Sequence, residues 1–325
     1  MSRHWPVLTL GAVLLIGLVL PLATGASPPG FYVEVLLGGL MSGVLYSLVA
    51  LGFALIFKAS GVFNFAQGSM VLFAALTFVS LLERGWNFWI AMAMTFAIMV
   101  ALGIAIERVV LRPLVNQPPI TLFMATIGLT FVLEGLSQLV WGSQPHGLEL
   151  GIPDVPMEWL LEKTNINISQ FDLFAAVIAG VLVAVLAVLF QKTRIGRALR
   201  AVADDHQAAL AVGIPLQHIW AIVWSVAGFV ALVAGLMWGA RNGVQYALTF
   251  IALKALPVLI LGGFESIAGA IVGGLIIGAS EKLAEVYLGP FVGGGLETWF
   301  PYVLALSFLL VRPEGLFGEK HIDRV

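Results

Sequence analysis

Long apolar segments alternate with short polar ones along the whole chain. A helix needs about 20 apolar residues to cross the hydrocarbon core of a bilayer. Apolar segments, several of them short, predict spans at 7–23, 33–57, 65–82, 88–111, 120–141, 171–190, 217–239, 248–262, 267–283 and 299–312. The pattern therefore predicts an all-α polytopic membrane protein, a bundle of about 8–10 transmembrane helices, some of them short or re-entrant.

A polar stretch, VFNFAQGSM at 62–70, stands between two uncharged apolar segments. Irregular backbone survives at membrane depth only where protein buries it or where it lines a wet cavity. Asn64 and Gln67 lie three residues apart, so one helical turn would place both amides on one face. Two interpretations stay open. In one, a cytoplasmic turn ends with Asn64 capping the next helix; in the other, a break within the bundle turns its amides towards a translocation path.

The distribution of basic residues decides how the segment 248–283 is interpreted. Short loops rich in Lys and Arg stay on the cytoplasmic side. Such residues cluster in the loop 191–216, at the end of the span 88–111 and near both termini. All of these lie on one side only if 248–283 is two short segments that meet at Gly262-Gly263. Both termini are then expected in the cytoplasm.

The remaining polar segments fall on the opposite side. The largest of them is 142–170, which is predicted to be an external loop. Residues 1–26 fit either a signal peptide or a retained first span. Their apolar run is long for a signal peptide, which favours the retained span.

Composition excludes several other classes of protein. Of 325 residues, 60% are hydrophobic and 10% are charged, whereas soluble domains average about 45–50% and about 25%. The net charge of −2 and the lack of a long basic run give no indication of nucleic-acid binding. The chain has no cysteine, and its five histidines lack metal-ligand spacing, so no metal site and no catalytic residue is expected. No G-x-x-x-x-G-K-[ST] motif occurs, so no ATP site is expected in this chain.

One acidic residue falls well inside a predicted span. Glu134 lies in 120–141, with Gln138 four residues further on. Ionisable residues at span depth are functional candidates by default. Glu134 either hydrogen-bonds within the bundle or lines a path, and the spacing does not decide between the two.

The loop 191–216 contains the amphipathic segment KTRIGRALRAVADDHQAALAVGIP at 192–215. Ile195, Leu199 and Val202 recur at helical spacing, which predicts one or two short helices parallel to the membrane. The loop is either a solvated topology signal or an element that docks into the groove of a cytoplasmic partner.

Three stretches together resemble one known family. They are LLGGLMSGVLYSLVALGFALIFKASGVFNFAQGSM at 36–70, TRIGRALRAVADDHQAALAVGI at 193–214 and LPVLILGGFESIAGAIVGGLIIG at 256–278. Their order and sequence are similar to those of the membrane permeases of branched-chain amino-acid ABC importers, in the shorter type without a fused ATPase. The resemblance covers nearly the whole chain and implies a single transmembrane permease domain over 1–325.

The resemblance also implies partners and a location. An importer of this family has a second related permease subunit, two cytoplasmic ABC ATPase subunits and a periplasmic substrate-binding protein. ATP would be bound by the ATPase subunits, so this chain needs no cofactor of its own. The expected location is the bacterial inner membrane, with membrane lipid around the bundle.

Site residues are assigned as expectations from the span pattern and the resemblance. The candidates for the substrate path are Ser42, Tyr46, Asn64, Gln67 and Glu134. The candidates for coupling to the ATPase are Arg194, Arg197, Arg200, Asp204, Ala208, Ala209 and Gly213.

Two positions depart from the pattern of the family. The stretch 207–213 resembles the E-A-A-x-x-x-G pattern of importer permeases, with Gln207 in place of Glu, and the usual I-x-L-P ending is absent. Many relatives have His where this chain has Gln67, so a titrating role at that position is not expected.

Two alternatives to this function stay open. Permeases for urea and short amides have very similar sequences. A stand-alone channel or secondary carrier would need no ATPase, and its loop 192–215 would tolerate alanine substitutions. A membrane-embedded enzyme is disfavoured, because no nucleophile or acid–base pair lies at a common depth.

Overall fold

The structure, a computed structural model, describes residues 28–114, 117–204 and 206–318. Within these ranges the chain is helical apart from short connections and two isolated antiparallel bridges. The predicted span at 7–23, and with it the choice between a signal peptide and a retained span, lies outside the described residues.

The helices follow the predicted apolar segments closely. In chain order they are α1 (Pro29–Ser60), α2 (Gln67–Glu83), α3 (Phe88–Ala105), α4 (Pro119–Trp141), α5 (Glu158–Thr164), α6 (Gln170–Lys192), α7 (Arg194–Asp204), α8 (His206–Ala211), α9 (Leu216–Asn242), α10 (Ile251–Gly262), α11 (Ile267–Val292) and α12 (Leu296–Val311). A π-helical turn (Ile106–Leu111) and a 3₁₀ turn (Arg112–Leu114) extend α3, and a 3₁₀ turn (Tyr246–Phe250) precedes α10.

Six helical segments of the described chain are long and apolar enough to cross a membrane. They are α1, α3 with its two extending turns, α4, α6, α9 and α11. Three shorter apolar segments accompany them, namely α2, α10 with its preceding 3₁₀ turn, and α12. The prediction of an all-α polytopic membrane protein with some short segments is confirmed.

The break expected near Gly262-Gly263 separates α10 from α11. Gly263 has φ +103°, a left-handed conformation that glycine adopts without strain. Ser266 then caps α11 by accepting a hydrogen bond from the Gly269 N–H at 2.9 Å. The second segment is longer than predicted, because α11 continues to Val292 instead of ending near 283.

Charged residues within α11 account for the shorter prediction. Glu281 is buried and accepts a hydrogen bond from the Tyr46 hydroxyl at 3.0 Å. Lys282 forms an ion pair of 2.9 Å with Glu297 at the start of α12. The predicted span ended just after these two charged residues. Because both have partners, the helix continues past them to Val292.

The chain divides into two compact units. The first holds the described residues within Met1–Ser47, Gly151–Val181 and Ala255–Val325, and the second holds those within Leu48–Leu150 and Leu182–Lys254. The predicted external loop 142–170 lies between α4 and α6 and contains the short helix α5.

Glycines bring two helices into backbone contact in the first unit. A Cβ atom at Gly39 would lie 2.7 Å from the carbonyl oxygen of Gly278, and one at Gly43 would lie 2.5 Å from that of Gly274. The Ser47 hydroxyl adds a hydrogen bond of 3.2 Å to the carbonyl of Ile271. Side chains of any size would force α1 and α11 apart, so these glycines set the packing of the first unit.

Helix α9 is the central element of the second unit, where it packs against α2 and α3. Glycines again allow close contact: a Cβ at Gly235 would lie 2.7 Å from the carbonyl oxygen of Val71, and one at Gly103 would lie 2.8 Å from the backbone nitrogen of Ser225. The central position of α9 matters for the site, because this helix directly follows the predicted cytoplasmic coupling loop.

The π-helical turn after α3 places an ion pair at the end of that span. Residues five apart lie above one another in a π-helix, and Arg112 donates two hydrogen bonds to Glu107, at 3.0 and 2.9 Å. The side chain of Glu107 is 1% exposed and that of Arg112 is 39% exposed. The guanidinium therefore neutralises a buried carboxylate while it remains in contact with the surface.

We expect Arg112→Ala to lower the free energy of unfolding by about 2 kcal/mol or more, because it leaves the buried Glu107 carboxylate without a counter-charge. Thermal unfolding of the purified chain in detergent measures this effect. The double variant Glu107→Gln, Arg112→Ala removes the uncompensated charge and should recover most of the loss. An unfolding temperature for Arg112→Ala equal to that of the unaltered chain would show that the pair does not stabilise the turn, and equal values for the single and double variants would show that the uncompensated charge is not the cause of the loss.

Candidate functional site

The polar stretch at 62–70 forms a break between α1 and α2 within the second unit. Helix α1 ends at Ser60, and Gly61 has φ +68°, which lets the chain turn away from the helix axis. Residues 61–66 are not part of a helix, and α2 begins at Gln67. Both predicted amides, Asn64 and Gln67, are 0% exposed.

The two amides bond to one another and to the backbone. Asn64 Nδ2 donates to Gln67 Oε1 at 3.3 Å, and Gln67 Nε2 donates to the carbonyl of Ala227 in α9 at 3.2 Å. Asn64 Oδ1 accepts the N–H of Ala66 at 3.1 Å. Irregular backbone at membrane depth needs such partners, and these bonds hold the break against α9.

Asn64 does not form the helix cap that one of the two interpretations expected. The side chain of Asn64 bonds to Ala66, the residue before α2, and not to an N–H of the first turn of α2. Both amides face protein in this chain. Their role in or beside a substrate path stays a prediction.

Helix α4 holds the other side of the break. The Thr126 hydroxyl donates to the carbonyl of Phe63 at 3.1 Å and accepts the N–H of Phe65 at 3.4 Å. Ring contacts run along the same elements, with centroids 4.8 Å apart for Phe63 and Phe65 and 5.1 Å apart for Phe65 and Phe123. Thr126 was not predicted as a site residue, since a lone threonine in an apolar span is commonplace.

Glu134 lies where three elements of the second unit meet. Its Oε1 accepts a hydrogen bond of 3.1 Å from the Ser69 hydroxyl in the first turn of α2, and its carbonyl accepts one of 3.3 Å from the Tyr246 hydroxyl. A Cβ at Gly68 would collide with the carbonyl oxygen of Thr249, so α2 approaches the 3₁₀ turn closely. Glu134 is therefore held within the bundle while the residue remains partly exposed.

The other two predicted path residues belong to the first unit. Tyr46 is 3% exposed and donates its hydroxyl hydrogen to Glu281. Ser42 precedes it by one helical turn and is partly exposed. Sequence reasoning placed Glu281 near the end of a span and did not select it. Its buried partner is 235 residues away, and no local pattern shows that pairing.

The amphipathic segment 192–215, which contains the predicted coupling residues, consists of two short helices, α7 and α8. This agrees with the helical spacing of its apolar residues. The Thr193 hydroxyl caps α7 by accepting the N–H of Gly196 at 3.3 Å. Leu199 and Val202 are buried, whereas Ile195 is 37% exposed. One face of the segment is therefore packed against the protein, and the other face is exposed at the surface.

The predicted coupling residues divide between these faces. Arg194 and Arg197 are exposed. Arg200 points inwards and donates to the carbonyls of Phe190 and Gln191 at 2.7 and 3.3 Å, which satisfies the C-terminal end of α6.

The remaining predicted coupling residues lie at the end of α7, within α8 and just after it. Ala209 is buried. Gly213 is exposed, has φ +84° and ends the segment before Pro215. Asp204 is the last residue of α7, and Ala208 lies within α8.

The second unit thus combines two features. Buried amides and hydroxyls, all bonded to protein groups, and the partly exposed carboxylate of Glu134 lie at the junction of α1, α2, α4 and α9. An exposed amphipathic segment leads directly into α9. In the described part of the chain, no three His, Asp or Glu side chains are grouped as metal ligands.

Comparisons with known proteins concern the family of the whole chain. The family model described as "Branched-chain amino acid transport system / permease component" matches residues 35–311. The chain is 28% identical over 312 residues to the high-affinity branched-chain amino acid transport system permease protein LivH of Escherichia coli K12, covering 91% of this chain and 98% of that protein. It is 28% identical over 310 residues to the corresponding permease protein BraD of Pseudomonas aeruginosa, covering 90% and 98%.

Among solved structures, the chain is similar to PsaBC from Streptococcus pneumoniae in complex with Fab. The TM-score is 0.45 and the sequence identity is 12%, over 85% of this chain and 90% of that one.

Proposed function

Because this chain belongs to the family of branched-chain amino acid transport system permease components, we propose that it forms part of the membrane path of an ATP-driven importer. It is a multi-pass membrane protein and a transport permease subunit. Its solutes are branched-chain or related hydrophobic amino acids. The relatives named for branched-chain amino acids favour this function over a urea or short-amide permease and over a stand-alone channel or carrier.

The energy for transport comes from other subunits. The sequence has no P-loop motif, so ATP is bound by two cytoplasmic ABC ATPase subunits and this chain carries no cofactor. A second related permease completes the path, and a periplasmic binding protein delivers the amino acid. The chain resides in the bacterial inner membrane with both termini in the cytoplasm, as the basic loops suggest.

The exposed face of the coupling segment, 194–213, carries this proposal. Leu210 and Val212 are 53% and 75% exposed, and Ile195 is also exposed. The exposed cations Arg194 and Arg197 lie on the same segment. Apolar side chains flanked by cations suit the apolar groove and acidic rim of a partner, as in helix-in-groove recognition.

The contacts of α9 connect this segment to the break. Trp220, one turn into α9, donates its indole N–H to the carbonyl of Ala59 at the end of α1, at 2.9 Å. Two turns further along, Ala227 accepts the bond from Gln67. Movement of the coupling segment would therefore act on both ends of the break. Closure of the ATPase subunits pushes the segment, and the permeases rock from an outward-open to an inward-open state.

Substitution of the exposed coupling face tests the proposal. The tagged chain is co-expressed with its partner subunits, purified in detergent, and compared with the variant Arg197→Glu, Val212→Asp. We expect at least a tenfold loss of co-purified ATPase, because the variant places negative charge on an apolar docking surface. Lys163→Glu, an exposed charge reversal in α5 within the predicted external loop, is the matched control and should retain the ATPase.

Two outcomes would contradict the proposal in different ways. Equal recovery of the ATPase with both variants would show that 194–213 does not dock it. If no ATPase co-purifies with the unaltered chain, and the chain alone transports leucine into liposomes, the protein is a stand-alone carrier.

A further inference from the structure

Glu134 occupies an unusual position for a carboxylate. It lies seven residues from the C-terminal end of the 23-residue helix α4, which corresponds to about 10 Å along the helix axis. Several of its neighbours along the helix are apolar and strongly exposed, for example Phe131 at 68% and Leu139 at 82%, although the exposed Gln138 lies one turn further on. A charged group facing lipid at this depth is costly, so the carboxylate needs a polar or cationic partner.

The described residues supply only part of what this carboxylate needs. Its side chain accepts one hydrogen bond, from Ser69. No described Lys, Arg or His forms an ion pair with it. An ionised carboxylate has about four lone-pair positions. Most of its capacity to accept hydrogen bonds is therefore unused, and the residue is partly exposed.

The surroundings hold the carboxylate in place. Ser69 lies in the first turn of α2, and the N-terminus of a helix attracts negative charge. The hydroxyl of Tyr246 fixes the backbone at Glu134 itself. The group is thus positioned from two sides by elements other than its own helix, as a binding group in a path would be.

We propose that Glu134 binds the ammonium group of the transported amino acid. An ammonium has three N–H donors and a full positive charge, which match the unused acceptors and the missing counter-charge. This inference rests on the proposed import function and adds a chemical requirement to it, because the solute must carry a cationic group. A neutral solute such as urea or a short amide does not supply that group.

A purely structural role makes a different prediction for one substitution. If Glu134 only anchored the Ser69 hydroxyl, then Gln, which has the same shape and retains the Oε1 acceptor, would replace it without loss. If Glu134 binds an ammonium, the charge itself is required. Glu134→Gln removes that charge alone, and Glu134→Asp keeps it.

The test uses the complete importer, with its ATPase and binding-protein subunits, in proteoliposomes, and radiolabelled leucine as the probe. We expect Glu134→Gln to reduce leucine uptake at least tenfold at unchanged protein yield. A tenfold loss corresponds to about 1.4 kcal/mol, the size of one strong polar interaction. Glu134→Asp keeps the charge and should stay within about threefold of the unaltered importer. Thr130→Val, which removes a hydroxyl that bonds only within α4, is the control and should transport normally.

A second measurement separates charge recognition from a folding effect. Leucine binding to the detergent-purified permease and ATPase complex, without the binding protein, is challenged with 3-methylbutylamine, which carries only the cation, or with 4-methylpentanoate, which carries only the anion. We expect the amine to displace leucine from the unaltered complex, the anion to displace it at least tenfold less well, and Glu134→Gln to lose displacement by the amine.

The possible failures can be told apart. Normal leucine uptake by Glu134→Gln, in an importer that otherwise works, overturns the ammonium site and leaves the import function intact. If the unaltered importer transports urea or acetamide and not leucine, the proposed substrate and the ammonium site both fail.

Discussion

Gly278→Leu will prevent the chain from accumulating as a folded membrane protein. A Cβ at this position would collide with the carbonyl oxygen of Gly39 and would lie 2.5 Å from the Cα of Gly43. These are backbone atoms of α1, which cannot turn aside as a flexible side chain can. The two helices would have to separate along their contact, at a cost of about 3 kcal/mol or more.

A leucine on α1 itself provides the matched control. Gly38 is adjacent to Gly39, but a Cβ there would meet no atom within 4 Å, so Gly38→Leu should accumulate normally. The measurement is the amount of monodisperse protein recovered after detergent extraction and size-exclusion chromatography. A normal yield for Gly278→Leu would show that the first unit does not depend on close contact between α1 and α11.

The apolar segments were predictable because length and hydropathy alone decide whether a helix can cross a bilayer. The same holds for the breaks at Gly61 and Gly263, since glycine is the residue that adopts positive φ without strain. The amphipathic loop also became two helices, with Leu199 and Val202 on the buried face. In each case a short stretch of sequence contains the whole physical cause.

Contacts between distant segments were not predictable in this way. Tyr46 and Glu281 pair across 235 residues, and that partner lets α11 continue beyond its predicted end. Arg200 was predicted as a coupling residue from its place in the motif, and its bonds to the end of α6 could not be read from that motif. Charge and spacing show that a residue needs a partner, but only the fold shows which partner it finds.

Within the second unit, these long-range contacts connect the two proposed functions. The break between α1 and α2 touches α9 twice, through Trp220 and through Gln67, and α9 begins where the coupling segment ends. The first turn of α2 also holds Glu134 through Ser69. A displacement of the coupling segment can therefore reach the proposed ammonium site through a single helix and the turn bonded to it.

Gln67→Leu will remove one of these two contacts with α9, and with it most of the transport. Leucine has a similar volume but no polar atoms, so Asn64 Nδ2 and the carbonyl of Ala227 each lose a hydrogen-bond partner. Asn64 and Gln67 are 0% exposed, and water is not at hand to replace the lost bonds. Losing one hydrogen bond at each of two buried polar groups costs about 1–3 kcal/mol in total. We expect a lower unfolding temperature in detergent and at least a tenfold loss of leucine uptake by the complete importer.

Gln67→His tests whether transport requires the hydrogen bond to Ala227 or the glutamine side chain itself. An imidazole N–H can donate to the carbonyl of Ala227 as the amide does, and the resemblance places His at this position in many relatives. Gln67→His should therefore keep at least half of the uptake while Gln67→Leu loses it. If both variants lose uptake equally, the amide has a role that its bond to α9 does not explain. If both keep it, transport does not depend on the bond between Gln67 and α9, and the coupling segment must reach the path through Trp220 or another helix.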